Sequence, residues 1–129
     1  MAQRRERGHR KKLTEVHAYW LKRPNQRANL SNLKKLKSQG IDVPSLDQAP
    51  VLLPEAEPYM AAYEILASRR PPHQPSGPVP IAMSEIWAYV QLNGMTDDAE
   101  IDDLVRFVVM LDCMSCDVMR EQIRKAQNR

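Results

Sequence analysis

The side chains that first suggest chemistry are Cys113 and Cys116, in the string Cys113-Met-Ser-Cys116. A redox dithiol of this spacing normally opens a helix after a strand, where the helix dipole lowers the thiol pKa. A structural zinc site needs four ligands. There is no other cysteine, His9, His17 and His73 are distant in sequence, and the pair falls inside a long helical pattern. Two ordinary helix cysteines are expected, with no metal site. A second cluster is Asp97, Asp98, Glu100, Asp102 and Asp103. A calcium loop requires glycine-punctuated alternation and a terminal Glu, which this string lacks. It reads as a capped, solvated helix start or as an acidic contact patch. The four glycines are well separated, so no phosphate-cradling loop exists. No Ser or Cys stands in a nucleophile motif. We therefore expect no catalytic residue and no cofactor.

The third feature is charge. The net charge of +3 hides a strong asymmetry. Residues 1–40 hold twelve Lys and Arg against Glu6 and Glu15, while 41–68 hold five acids and no base. Residues 84–117 hold eight acids against Arg106. Such a basic head either meets an anionic partner or folds onto its own acidic body. In the first case Arg4, Arg5, Arg7, Arg10, Lys11, Lys12, Lys34, Lys35 and Lys37 would grip phosphates. No helix-turn-helix or RNA-binding signature accompanies them.

The elements that must position these groups read as helices. The chain of 129 residues suits one modest domain with an extension. With one Phe and two Trp, its core must rest on aliphatic side chains, Met and Tyr, which favours packed helices. The periodicity predicts helices over about 4–23, 27–39, 55–69, 82–93 and 97–127. Leu13, Val16, Tyr19 and Trp20 form the first stripe, and Pro24 ends it. The preceding residues have nothing to bury, so the first twelve are expected to fray. Leu30, Leu33 and Leu36 line the second helix, with Gly40 as its C′ residue. Residues 41–54 form a linker whose Val51-Leu52-Leu53 triplet should pack on the body. Residues 70–82 form a proline-rich loop, read as a stiff connector or an exposed docking segment. In the fourth helix Met83, Ile86, Tyr89 and Val90 share a face and Trp87 flanks it. In the fifth, Thr96 is the expected N-cap. Between Phe107 and Met114 only Asp112 is polar. A helix this apolar needs enclosure, and so short a chain is expected to obtain part of it from oligomerisation or a client protein. The fold class is all-α: a small bundle of four to five helices. Residues 1–40 form a basic helical extension, 41–54 a linker and 55–129 the helical domain.

The stretch Tyr59–Asp112 resembles the tail assembly chaperones of long-tailed bacteriophages, in their domain of tape-measure-binding type. The likeness rests on Tyr59-Met-Ala-Ala-Tyr63-Glu-Ile-Leu66-Ala-Ser-Arg69, Gly77-Pro78-Val79-Pro80-Ile81, Ser84-Glu85-Ile86-Trp87-Ala88-Tyr89, Gly94-Met95 and Val108-Val109-Met110-Leu111-Asp112. The loop at 70–76 is richer in proline than the family pattern, a Leu separates Met110 from Asp112, and residues 1–40 have no counterpart. The resemblance implies a non-catalytic protein of the host cytoplasm. Its partner would be the tape measure protein or another helical client, shielded until the tail tube polymerises around it. Trp87, Tyr89, Phe107 and Met110 are the expected anchors, as groove or as core. The alternative is a nucleic-acid-binding accessory protein using the basic segment, and a third class is a structural virion component. No run of roughly 18 apolar residues suggests a membrane span.

Overall fold

The computed structural model describes residues 2–72 and 74–128, with side-chain surroundings from Arg10 onward except at Asn25 and Ala28. The side chains of Arg4, Arg5, Arg7 and His9, and His73 altogether, lie outside the described residues. Seven helical segments make up the fold, and among the described residues there is no strand. They are α1 (Ala2–Leu21), α2 (Pro24–Ala28), α3 (Leu30–Ser38), α4 (Pro44–Asp47), α5 (Glu57–Ser68), α6 (Met83–Leu92) and α7 (Asp98–Gln127). The all-α class follows from the aliphatic periodicity, and five of the seven segments match the five predicted helices. Among the described residues no helix is long and apolar enough to cross a membrane.

The long helix α7 organises the rest. Its buried stripe of Leu104, Phe107, Val108 and Leu111 meets Met60, Tyr63 and Leu66 of α5, and Leu13, Val16 and Trp20 of α1. Ile86 and Val90 of α6 complete the same cluster. The basic head therefore contributes side chains to the one core that the acidic body forms. Burial of these large side chains, each worth about 1.5–3 kcal/mol against exposure, is what holds α1 in place.

The boundaries differ from the periodicity in instructive places. The second predicted helix is split at Asn29, whose φ of −102° and ψ of 18° leave the helical region. Asn competes with a helix through local hydrogen bonds, and α3 buries no side chain that would override it. The Leu30, Leu33 and Leu36 line consequently reaches the core only at Leu30, and Leu36 is exposed. Gly40 does terminate α3, at φ +83°. Ile41 N–H bonds the Leu36 carbonyl and Gly40 N–H the Lys37 carbonyl, the Schellman pattern. The linker holds the short helix α4, which periodicity cannot register in four residues, and Tyr19 Oη donates to the Ser45 carbonyl. Of the Val51-Leu52-Leu53 triplet only Leu52 packs on the core, while Val51 and Leu53 are exposed. The apolar run straddles both sides of an extended backbone, so one neighbour in two faces water.

The N-cap of α7 is Asp97, not Thr96: the Asp97 carboxylate accepts the Ala99 N–H at 3.0 Å. A carboxylate at this position also meets the positive end of the helix dipole. Asp97→Ala is expected to cost about 1 kcal/mol, lowering the thermal midpoint by roughly 3–5 °C. Thr96→Ala should leave the midpoint within about 2 °C. Thermal unfolding followed by circular dichroism decides between the two caps, and a larger shift for Thr96→Ala than for Asp97→Ala would return the role to Thr96.

Candidate protein-docking site and buried polar latch

Helix α6 begins at Met83, after Ala82 in extended geometry, and stops at the Asn93-Gly94 turn. Gly94 adopts φ +62°, a left-handed geometry that favours glycine. Ile86 and Val90 point inward. Four residues apart on the same helix, Met83 and Trp87 are each 58 % exposed. At that spacing their side chains lie one above the other. Sequence periodicity had placed Met83 on the buried face; α6 instead turns it to solvent beside Trp87, because Ile86 and Val90 alone define the inward direction. Leu92, 87 % exposed at the end of the helix, extends the apolar surface toward the turn. The charge near this element is acidic: Glu85 on α6 itself, then Asp97, Asp98, Glu100 and Asp102 after the turn.

The other expected anchors lie elsewhere. Phe107 is 3 % exposed and stacks at a tilt on Tyr59, with ring centroids 4.8 Å apart. Tyr89 is half-buried against the core. Met110 is half-buried too, and its sulfur accepts the Thr14 hydroxyl at 3.7 Å. Of the four, only Trp87 is largely exposed, and Met83 joins it.

Arg10 and Lys11 stand exposed on α1, and Lys34, Lys35 and Lys37 on α3. Several cations instead meet the body's carboxylates. Lys37 Nζ lies 2.6 Å from Asp47 and Arg27 pairs with Glu64 of α5, while Lys12 sits 3.6 Å from Glu15 of its own helix. The charge asymmetry thus serves partly to close the head onto the body.

Two polar clusters lie inside the fold. His17 of α1 meets Ser115 of α7 at 2.8 Å (Nε2 to Oγ), and Tyr63 of α5 hydrogen-bonds the same Ser115 hydroxyl. The Leu111 carbonyl faces the same ring and favours its protonated form. With a neutral ring, Tyr63 donates to Ser115 and Ser115 donates to Nε2. Burial pushes the His17 pKa down to about 4, the Leu111 carbonyl opposes this, and the positive charges of Arg27 and Arg70 lower it further. At neutral pH the ring is an uncharged connector of three helices. The pairing superficially resembles a nucleophile and its base. Yet the Ser115 hydroxyl lies within a helix whose backbone N–H groups are committed to carbonyls one turn back, so no oxyanion donors face it. A cleft of about 640 Å³ lined by His17, Trp20, Tyr63, Arg70, Ser115 and Met119 opens beside this cluster.

The second cluster ties the proline-rich loop to α7. Arg70 at the loop's start forms an ion pair with Asp112, and the other Asp112 oxygen accepts the Ile81 N–H at 3.0 Å. Gly77 and Pro78 are buried, and Gln74 and Gly77 exchange backbone hydrogen bonds across the loop tip. The loop is thus clamped at both ends by one carboxylate. Its remaining prolines, Pro71, Pro72, Pro75 and Pro80, face solvent.

Sequence reasoning missed both clusters. His17 and Ser115 are 98 positions apart, and Asp112 stood out only as the one polar residue in an apolar run. That anomaly was the usable signal, since a carboxylate inside a buried stripe requires a cation or donors. Cys113 is exposed and Cys116 buried, both as free thiols on α7. Among the described residues no group of three or more His, Cys, Asp and Glu is placed to hold a metal ion. No family model matches the chain, and no match is found among curated proteins or solved structures.

Proposed function

We propose that this protein is a non-catalytic tail assembly chaperone of a long-tailed bacteriophage, whose α6 surface holds an apolar stripe of the tape measure protein or a similar helical client. The observation that carries the reading is the exposed Met83–Trp87 pair. A large aromatic and a flexible thioether one turn apart match a helix-in-groove contact read at i and i+4 spacing. An isolated apolar helix would aggregate, and a small helical protein that covers it reversibly prevents this. The resemblance over Tyr59–Asp112 supports the same role. So does the way its segments meet: Arg70, which follows the Arg69 that ends the first, and Ile81, which ends the second, both bind Asp112, which ends the last.

The test is co-expression of the chain with the tape measure protein of the phage that would encode it, followed by isothermal titration on the purified components. Trp87→Ala is expected to weaken binding at least tenfold, the effect of losing a central aromatic anchor, with helicity unchanged. Equal affinity of the variant and the parent would refute the α6 site. The competing reading, a nucleic-acid-binding accessory protein, draws on the exposed Lys34 and Lys35 of a helix that buries nothing. It would appear as binding to duplex DNA that collapses between 50 and 200 mM salt and is insensitive to Trp87→Ala.

A further inference from the structure

Helix α7 is 30 residues long, about 45 Å, and its charge is segregated along that length. Residues 98–106 hold Asp98, Glu100, Asp102 and Asp103 against Arg106, while 117–125 hold Arg120, Arg124 and Lys125 against Asp117 and Glu121. Between them the outward side is apolar. Val109 is 40 % exposed, Cys113 is exposed, and Val105, Met110 and Met114 are half-buried. These residues line a shallow hollow with Arg10 and Asp117 at its rim. At 100° per residue, Asp98, Asp102, Arg106, Val109, Cys113, Cys116, Arg120 and Arg124 fall within an arc of roughly 80° on one side of the helix. The proline-rich loop borders this arc, where a Gly77 side chain would meet Arg120 Cγ at 3.8 Å; Cys116 at the arc's edge is buried, while Asp102, Val109, Cys113, Arg120 and Arg124 stay exposed.

We propose that two copies of the chain associate through this side of α7, with the helices antiparallel about a two-fold axis level with Leu111. Val109 then packs on Cys113 of the second copy. Asp102 faces Arg120 of the second copy and Asp98 faces its Arg124, and each contact occurs twice because a two-fold interface is self-complementary. Charge selects this orientation: a parallel pair would set acids beside acids and bases beside bases. The present partners of these groups are neighbours on the same helix, Arg106 for Asp102 at 3.1 Å and Asp117 for Arg120 at 3.0 Å. Exposed pairs of this kind contribute little and exchange readily. Neither Met83 nor Trp87 lines this hollow.

Sedimentation velocity of the full chain over a range of concentrations at low salt tests the proposal. A monomer–dimer equilibrium is expected, with Asp102→Arg and Arg120→Asp each weakening the dimer at least tenfold. The double variant D102R/R120D restores it, because the two helices then oppose charges of reversed sign. Circular dichroism verifies that each variant remains helical. As an independent measurement, Val109→Cys treated with diamide should yield a covalent dimer through Cys113 of the second copy, and adding Cys113→Ser should abolish it. A strictly monomeric chain, a dimer insensitive to both single reversals, or a double variant no better than the singles would overturn the proposal.

Discussion

Asp112→Ala is expected to destabilise the protein by about 3–5 kcal/mol, the loss typical when one partner of a buried ion pair is removed. The reason is what remains. The Arg70 and Asp112 side chains are only 12 % and 8 % exposed. Without the carboxylate, the guanidinium keeps its charge in a poorly hydrated site, and its Nε already lacks a hydrogen-bond partner. The Ile81 N–H loses its acceptor as well. With a total stability on the order of 5–15 kcal/mol, the variant would sit near the limit of folding. Urea denaturation measures the loss directly. The double variant Arg70→Met/Asp112→Leu should recover most of it, since replacing both charges by apolar groups removes the desolvation cost along with the attraction. If Asp112→Ala lost less than about 1 kcal/mol, the pair would have to be solvated and the loop untethered.

Lowering the pH from 7 to 4 is expected to remove about 3 kcal/mol of stability through His17 alone. The ring's pKa falls from an ordinary 6.5 to about 4 in the fold. Above pH 6.5 both the folded and unfolded forms hold it neutral, and the network with Ser115 and Tyr63 is fully present. Between 6.5 and 4 the unfolded chain takes up a proton that the folded chain refuses, so stability falls as the pH drops. Below 4 the folded ring is protonated too, Nε2 can no longer accept from Ser115, and the loss is complete. A His17→Gln variant should be less stable at pH 7 but nearly flat across this window. Carboxylate titration adds further loss in both proteins, and the difference between them isolates the imidazole. Urea midpoints at pH 4, 5, 6 and 7 supply the comparison. Parallel curves for the two proteins would mean that the ring is hydrated and its pKa ordinary.

Both effects centre on groups that join α7 to elements far away in sequence, and this explains what was legible beforehand. Helix positions depend on contacts three and four residues apart and on stop signals such as Pro24, Gly40 and Asn93-Gly94. They can therefore be read from the order of residues. So can the segregation of charge and the acidic start of α7. The split at Asn29 and the shift of the cap by one residue are local too, but they turn on energies near 1 kcal/mol, where several residue choices compete.

Burial behaved differently. The sequence by itself determined that this chain is helical, where its helices turn, and that α7 is too apolar to stand alone. It did not determine which of two apolar neighbours faces inward. Phe107 and Trp87 looked alike as candidates, yet α5 brings Tyr59 onto the first, which is buried, while the second stays 58 % exposed. Likewise, only tertiary structure brings His17 to Ser115 and Arg70 to Asp112. A side chain's apolar character is its own, whereas its burial belongs to whichever distant segments arrive beside it, and no local spacing carries that information.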